Sequence, residues 1–357
     1  MKKTRKSRNQ SVSYALVTFA YLYAGTVLRK PFYASGVPIL GFLVCSAAVL
    51  AFSYLFARYF AGHTDRGTRA PSGMLAAGVC VCAVIFGASM IVRFLLSLSY
   101  FSADYGTPFV VICAGAGCIG CALFCASRGR LNVSGFAFLT AIPFAIWTFA
   151  GFFAFFETKR AFPIHAPLEG LTASGLVPLL AETAYICLDI VFLAVVLCDK
   201  ESDETRKIAP RAFFHGAVMF VLASGATLFK NLLLFGERLA SAAANPDLAA
   251  IRLMPLFDLP EISVFMGTFA VTVKISVYFA CCMYLLKNAF GTKYRHTAVC
   301  GTFAVALGLA GTAFYFLRQN GAWSGLDYAV LFLFCIAALF CFPVYAVRQL
   351  PQNAGQP

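Results

Sequence analysis

The stretch from Phe269 to Lys287 reads FAVTVKISVYFACCMYLLK and places one lysine, Lys274, inside an otherwise apolar run. A run of this length is sufficient for a helix to cross a bilayer, whose hydrocarbon core of ~30 Å needs roughly 20 apolar residues. The ammonium group of Lys274 is then expected near the centre of the membrane. A charge at that depth is costly, and such charges usually face a partner or a cavity.

The composition of the whole chain is that of a membrane protein. Its 357 residues are 61% hydrophobic and only 12% charged, whereas soluble domains are about half apolar and about a quarter charged. The net charge of +13 is compatible with nucleic-acid binding, but the basic residues lie in short segments between apolar runs. The sequence therefore predicts a single membrane domain over residues 1–357, embedded in lipid and without a nucleic-acid partner.

Ten apolar runs are long enough to span a bilayer. They cover residues 13–29, 36–60, 73–101, 107–126, 132–156, 174–198, 212–235, 262–287, 297–317 and 325–347. With a cytoplasmic N-terminus, most of the 28 Lys and Arg residues lie in cytoplasmic segments, in agreement with the positive-inside rule. Because the number of spans is even, the C-terminus is expected in the cytoplasm as well.

The ten spans divide into two five-helix repeats, residues 13–156 and 174–347. Because five is an odd number, the second repeat would run opposite to the first, as in transporters whose first helix in each half is broken. Span 1 carries Gly25 at mid-depth, where glycine lowers the cost of leaving helical geometry, and span 6 carries Asp189 at the corresponding depth. We therefore expect helices 1 and 6 to be broken.

Asp189 and Lys274 are deep charges of opposite sign. Either alone would cost at least ~2.5–3.5 kcal/mol. Lys274 could pair with Asp189, with backbone carbonyls of span 1, or with both, and the pair is either purely structural or lies beside a binding cavity. Among the shallower charges, Arg93 is expected to snorkel or to form an ion pair. Lys230 is expected to anchor span 7 at the membrane surface, and Glu182 to be hydrated.

No group of residues in the sequence indicates catalysis or a metal centre. The run AGAGCIGCALFCAS contains a C-x2-C spacing that can bind metals, but its small residues favour close packing of membrane helices. The chain has no phosphate loop, nucleophile elbow or dinucleotide fingerprint. We expect neither an enzyme nor a bound cofactor or metal.

The second half of the chain resembles the B subunits of spore nutrient-germinant receptors, the GerAB-type spore permeases. The resemblance covers roughly residues 180–300. Its features are the stretch AYICLDIVFLAVVLCDK in span 6, the Lys-Ile-Ser core at 274–276 in span 8 and the turn FGTKYR at 290–295. The chain departs from the family at Asp189, where Glu is usual, and at Cys187, where Gly is expected.

The resemblance implies the ten-helix LeuT-like fold of the amino acid–polyamine–organocation transporter superfamily. It also implies a receptor B subunit in the inner membrane of a spore. Such a subunit binds a germinant, commonly an amino acid or a sugar, and works with an A subunit and a lipoprotein C subunit. The alternative is an amino-acid transporter that moves its substrate across the membrane.

In this fold the ligand is expected between spans 1 and 6. The expected contacts are Ala24, Gly25 and Thr26 on span 1 and Tyr185, Ile186, Cys187 and Asp189 on span 6. Related transporters often hold a sodium ion between spans 1 and 8. The resemblance therefore implies that Lys274, with Ser276 beside it, supplies a tethered cation in place of that ion.

Overall fold

The computed structural model of the chain describes residues 2–29, 31–33, 37–63, 73–98, 108–158, 173–197, 203–242, 246–247, 250, 260–290 and 296–319. Nine long helices occur within these ranges: α1 (Lys2–Leu28), α2 (Pro38–His63), α3 (Gly73–Leu98), α4 (Pro108–Ser127), α5 (Arg130–Thr158), α6 (Ala173–Leu197), α7 (Asp203–Ala242), α8 (Pro260–Phe290) and α9 (His296–Gln319). A short 3-10 helix, Pro31–Tyr33, lies between α1 and α2. The described part of the chain is all-helical.

The first nine predicted spans each coincide with one of these helices. The tenth predicted span, residues 325–347, lies outside the described residues. The total of ten helices and the division into two five-helix repeats therefore stay predictions.

Six of the described helices contain stretches long and apolar enough to cross a bilayer. These stretches are Pro38–Leu55, Ala76–Leu96, Asn132–Gly151, Gly175–Ala194, Arg211–Gly236 and Val264–Lys287. Large apolar side chains on α4, α5 and α9 are exposed, among them Ile112, Phe149 and Leu309, as expected of surfaces that contact lipid. The chain is an integral, multi-pass membrane protein.

Helix α8, which carries the lysine, is the central element of the bundle. Every residue from Ala270 to Cys282 is buried, and α8 packs against α1, α3, α4, α5 and α6. A helix that is apolar on all sides is expected in the interior, because no face of it is suited to water. The position of α8 places Lys274 in the middle of the protein, away from the lipid.

Helix α1 packs closely against α7 at Gly216. A Cβ atom added there would lie 2.5 Å from the Cβ of Thr18 and 2.6 Å from the carbonyl oxygen of Ala15. Small residues allow membrane helices to approach in this way, since association within lipid depends on packing rather than on a hydrophobic driving force. Gly216 therefore sets the distance between α1 and α7.

The prediction that helices 1 and 6 are broken is wrong for the described residues. Helix α1 continues through Gly25 to Leu28, and α6 continues through Asp189 to Leu197. In α1 the Thr26 hydroxyl donates to the carbonyl of Tyr23 (2.8 Å), and the Arg29 N–H donates to the carbonyl of Gly25 (3.1 Å). The polar side chains of neighbouring helices satisfy Asp189, so the backbone does not need to unwind there.

We predict that Gly216→Ala destabilises the protein. The added methyl group would force α1 and α7 apart, and overpacking of this kind typically costs ~1–3 kcal/mol. Thermal unfolding of the purified protein in detergent measures the effect as a lower midpoint temperature. Gly308→Ala on α9 is the matched control, because no atom of the described residues lies within 4 Å of a Cβ at that position. Equal midpoints for the two variants would contradict the assignment of a close contact at Gly216.

Candidate functional site

One face of α1 carries Tyr21 and Gly25, and Arg29, which directly follows the helix, continues this row at the same four-residue spacing. This row faces α6, where the acids Glu182 and Asp189 are spaced two helical turns apart. Arg29 thus lies beside Glu182, and Gly25 lies beside Asp189. Helix α8 places Lys274 next to Asp189.

Lys274 and Asp189 form an ion pair at the meeting point of α1, α6 and α8, referred to below as the central ion pair. The Lys274 ammonium contacts Oδ2 of Asp189. The hydroxyl groups of Tyr278 and Tyr21 donate to Oδ1 of the same carboxylate at 2.5 Å and 3.0 Å. Both charged residues are buried, so three donors from two other helices satisfy a carboxylate that water does not reach.

Gly25 is the point at which α1 approaches this pair. A Cβ atom at Gly25 would lie 3.2 Å from Nζ of Lys274 and 3.8 Å from Oδ2 of Asp189. The Lys274 ammonium also lies 3.8 Å from the centroid of the Tyr21 ring, within the range of a cation–π interaction. Any larger side chain at position 25 would crowd the lysine.

The central ion pair offsets a large cost of burial. Each charge alone would cost several kcal/mol in the membrane interior, and a buried pair is tolerated when its geometry is good and its remaining polar atoms are hydrogen-bonded. The tyrosine hydroxyls meet the second condition. Of the alternatives for Lys274, the structure shows pairing with Asp189, together with a close approach to α1 at Gly25.

A second ion pair lies two turns along the same face of α6. Nε and Nη2 of Arg29 donate to the two carboxylate oxygens of Glu182 at 2.7 Å and 2.8 Å, and Nη2 of Arg93 lies 3.5 Å from Oε1. The expectation that Glu182 is hydrated is therefore wrong, because a two-point contact with a guanidinium group replaces water. The expectation of an ion pair for Arg93 is confirmed.

Tyr185 links the two ion pairs. Its ring lies beneath the guanidinium of Arg29, 3.8 Å from Cζ to the ring centroid, and its hydroxyl is 2.9 Å from the hydroxyl of Tyr278. Phe86 packs edge-on against the Tyr185 ring at 4.8 Å and surrounds the link with apolar surface. A continuous buried polar path thus runs from Glu182 to Lys274.

The predicted site residues fall into two groups. Gly25, Tyr185, Asp189 and Lys274 come together as described. Ala24 and Ile186 are buried in the apolar core, and Cys187 is half-buried. Thr26 and Ser276 donate to backbone carbonyls of their own helices, Ser276 to Val273 at 2.9 Å, and these bonds use the hydroxyl protons within the helix.

Sequence reasoning missed three residues of the site. Tyr21, Tyr278 and Arg29 each contact a predicted residue or the neighbouring ion pair. Helical spacing could have found them, since Tyr21 precedes Gly25 by four residues, Arg29 follows it by four, and Tyr278 follows Lys274 by four.

Comparison with known proteins supports the fold. No protein-family profile and no curated protein matches the chain. A solved structure of Mhp1, a nucleobase-cation-symport-1 family transporter, in a closed conformation with bromovinylhydantoin bound, resembles it with a TM-score of 0.62. The match covers 95% of this chain and 76% of the other at 11% sequence identity. At this identity the likeness concerns the fold alone, and it supports the LeuT-like fold class.

We predict that Lys274→Met and Asp189→Leu each destabilise the protein by ~3–5 kcal/mol, because each leaves an uncompensated buried charge. The double variant should lose less than the sum of the two single variants, since it buries no charge. Thermal unfolding in detergent of the four proteins in this cycle measures the coupling.

The control for this cycle is Lys287→Met, which removes an exposed lysine at the end of the same helix and should leave the midpoint close to that of the wild type. Additive losses in the double variant would show that Lys274 and Asp189 do not depend on each other.

Proposed function

We propose that this chain is the B subunit of a spore nutrient-germinant receptor, a permease-like membrane protein that binds a small germinant and carries out no catalysis. The observation that carries the proposal is the contact of Lys274 with both Asp189 and Gly25. This lysine belongs to the Lys-Ile-Ser stretch that resembles the family, and Asp189 belongs to the span 6 stretch that does so.

In the proposed mechanism the contact of Lys274 with Asp189, which joins α8 to α6 beside α1, acts as a latch that is closed when the ion pair is formed and open when it is broken. A ligand that contacts α1 and α6 better when the latch is open shifts the equilibrium toward the open state. Conversion of a mostly closed population into a mostly open one requires differential binding of ~5.5 kcal/mol. This is comparable with the ~3–5 kcal/mol associated with breaking one buried pair.

The tethered cation of Lys274 gives the proposed receptor an ion-independent site. An ammonium held between α1 and α8 supplies a fixed positive charge, so binding would not need sodium to complete the site. In the same proposal the chain lies in the inner membrane of a spore with both termini in the cytoplasm. An A subunit and a lipoprotein C subunit receive the conformational change.

A second candidate function is transport of the ligand across the membrane, with an amino acid as substrate. The likeness in fold to a transporter that was solved with a small molecule bound favours it. The two functions share the site and differ in outcome, since a receptor binds its ligand stoichiometrically and a transporter moves many molecules. Uptake into proteoliposomes distinguishes them.

We predict that spores that lack this chain lose germination in response to at least one nutrient from a panel of amino acids and sugars. The wild-type gene should restore the response and Lys274→Met should not, because the latch is lost. Loss of optical density of the spore suspension measures germination, and immunoblots confirm that the variant is present. Replacement of sodium by choline should leave the response of wild-type spores unchanged.

Lys287→Met is the matched control, and it should germinate like the wild type. A full germination response of the deleted strain to every nutrient would exclude the receptor function. Accumulation of a labelled nutrient in proteoliposomes well above the amount of protein would favour the transporter.

A further inference from the structure

Lys230, on α7, is a buried cation outside the site described above. Only 4% of its surface is exposed, so the expectation that it anchors α7 at the membrane surface is wrong. Its ammonium has no hydrogen-bond acceptor and no ion-pair partner within 4 Å in the ranges that the structure describes. An ammonium on a buried side chain is costly unless an anion or another acceptor reaches it, and a ligand can supply that acceptor.

The ammonium of Lys230 lies against the backbone of α5. A Cβ atom at Gly151 would be 3.2 Å from Nζ and 3.6 Å from Cδ of Lys230, so glycine at this position leaves room for the lysine. Asp247 lies close enough to act on Lys230 electrostatically, yet the two do not form an ion pair. Asp247 contacts Asn231, the next residue in the chain, so the anion lies beside the turn of α7 that carries Lys230.

Asn231, the residue after Lys230, presents a second unsatisfied group. Its amide nitrogen donates to Oδ1 of Asp247 at 2.5 Å and to the hydroxyl of Tyr33 at 3.1 Å. A carboxylate is only an acceptor, so the nitrogen rather than the oxygen must face Asp247. Oδ1 of Asn231 is then left buried without a donor among the described residues, and it can accept a hydrogen bond from a ligand.

Three hydroxyl groups, those of Tyr23, Thr148 and Thr227, lie beside these residues and are referred to below as the hydroxyl wall. Tyr23, on the opposite face of α1 from Tyr21, accepts a hydrogen bond from Thr148 of α5 at 2.9 Å and lies 3.3 Å from the hydroxyl of Thr227 of α7. Thr148 and Gly151 are one helical turn apart, as are Thr227 and Lys230. Thr148 therefore lies on the same face of α5 as Gly151, and Thr227 lies on the same face of α7 as Lys230.

We propose that Lys230, Asn231 and Asp247, named here the Lys230 cluster, bind the head group of a free amino acid. The carboxylate of the amino acid pairs with the Lys230 ammonium. Its ammonium group pairs with the Asp247 carboxylate and donates to Oδ1 of Asn231. A zwitterion pairs with the Lys230 ammonium and also donates to the unpaired Oδ1 of Asn231. A neutral sugar pairs with neither Lys230 nor Asp247, and a simple acid or amine pairs with only one of them.

The direction of binding follows from burial. Asp247 is partly exposed, while Lys230 and Asn231 are buried. The carboxylate of the ligand therefore lies at the buried Lys230 and its ammonium group at the more exposed Asp247. This inference rests on the proposed function and goes beyond it, because it names amino acids as the ligand class and adds a site on the opposite face of α1 from the central ion pair.

The test is direct binding of a ¹⁴C-labelled mixture of the twenty standard amino acids to the full chain in lipid nanodiscs, by scintillation proximity. We expect saturable binding to the wild type that unlabelled amino acids compete away and glucose does not. Lys230→Gln should weaken binding by ~10–100-fold, as expected for loss of a charged hydrogen bond. Asp247→Asn, at a partly exposed position, should weaken it by a similar factor without affecting folding.

Two comparisons separate this inference from the proposed function. Lys287→Gln removes an exposed lysine and should bind like the wild type. Loss of binding in Lys274→Gln with full binding in both Lys230→Gln and Asp247→Asn would overturn the inference and leave the proposed function intact. Absence of saturable amino-acid binding to the wild type would overturn the inference, while the germination response would still decide the function.

Discussion

The ion pair of Lys274 with Asp189 is the contact on which the arrangement of the bundle depends. It lies where α1, α6 and α8 meet, and each of these helices supplies groups that the buried charges require. Movement of α6 or α8 away would leave a charge without its partner in an apolar interior, and movement of α1 would remove the Tyr21 hydroxyl from the carboxylate. The approach of α1 at Gly25 is close, since a Cβ atom there would lie 3.2 Å from the Lys274 ammonium.

Helix α1 connects the two polar regions of the protein. Tyr21 and Gly25 face the central ion pair, whereas Tyr23 faces the hydroxyl wall next to Lys230. Rotation of α1 about its axis would disturb both sets of contacts, since residues two apart on a helix point in nearly opposite directions. This geometry gives the proposed receptor one element through which a ligand at the Lys230 cluster and the latch at Lys274 act on each other.

Hydrophobic runs predicted the helices well, because a membrane span needs a minimum number of apolar residues and charges end it. The runs also placed Lys274 and Asp189 at similar depth, and the cost of burying either charge alone made their pairing one of the alternatives for Lys274. They could not predict that α1 and α6 continue through Gly25 and Asp189, because this depends on tyrosine hydroxyls from other helices. Burial of Lys230 was missed for a related reason, since a lysine near the end of a span looks the same whether it faces lipid or α5.

The buried position of α8 has a consequence for the biosynthesis of the protein. A helix with a lysine at its centre is poorly suited to leave the translocon for lipid, where its charge would have no partner. Both helices that satisfy this charge, α1 and α6, precede α8 in the chain. Ribosomal synthesis therefore delivers the carboxylate and the tyrosine before the lysine emerges, and the order of the helices along the chain is itself a route for assembly.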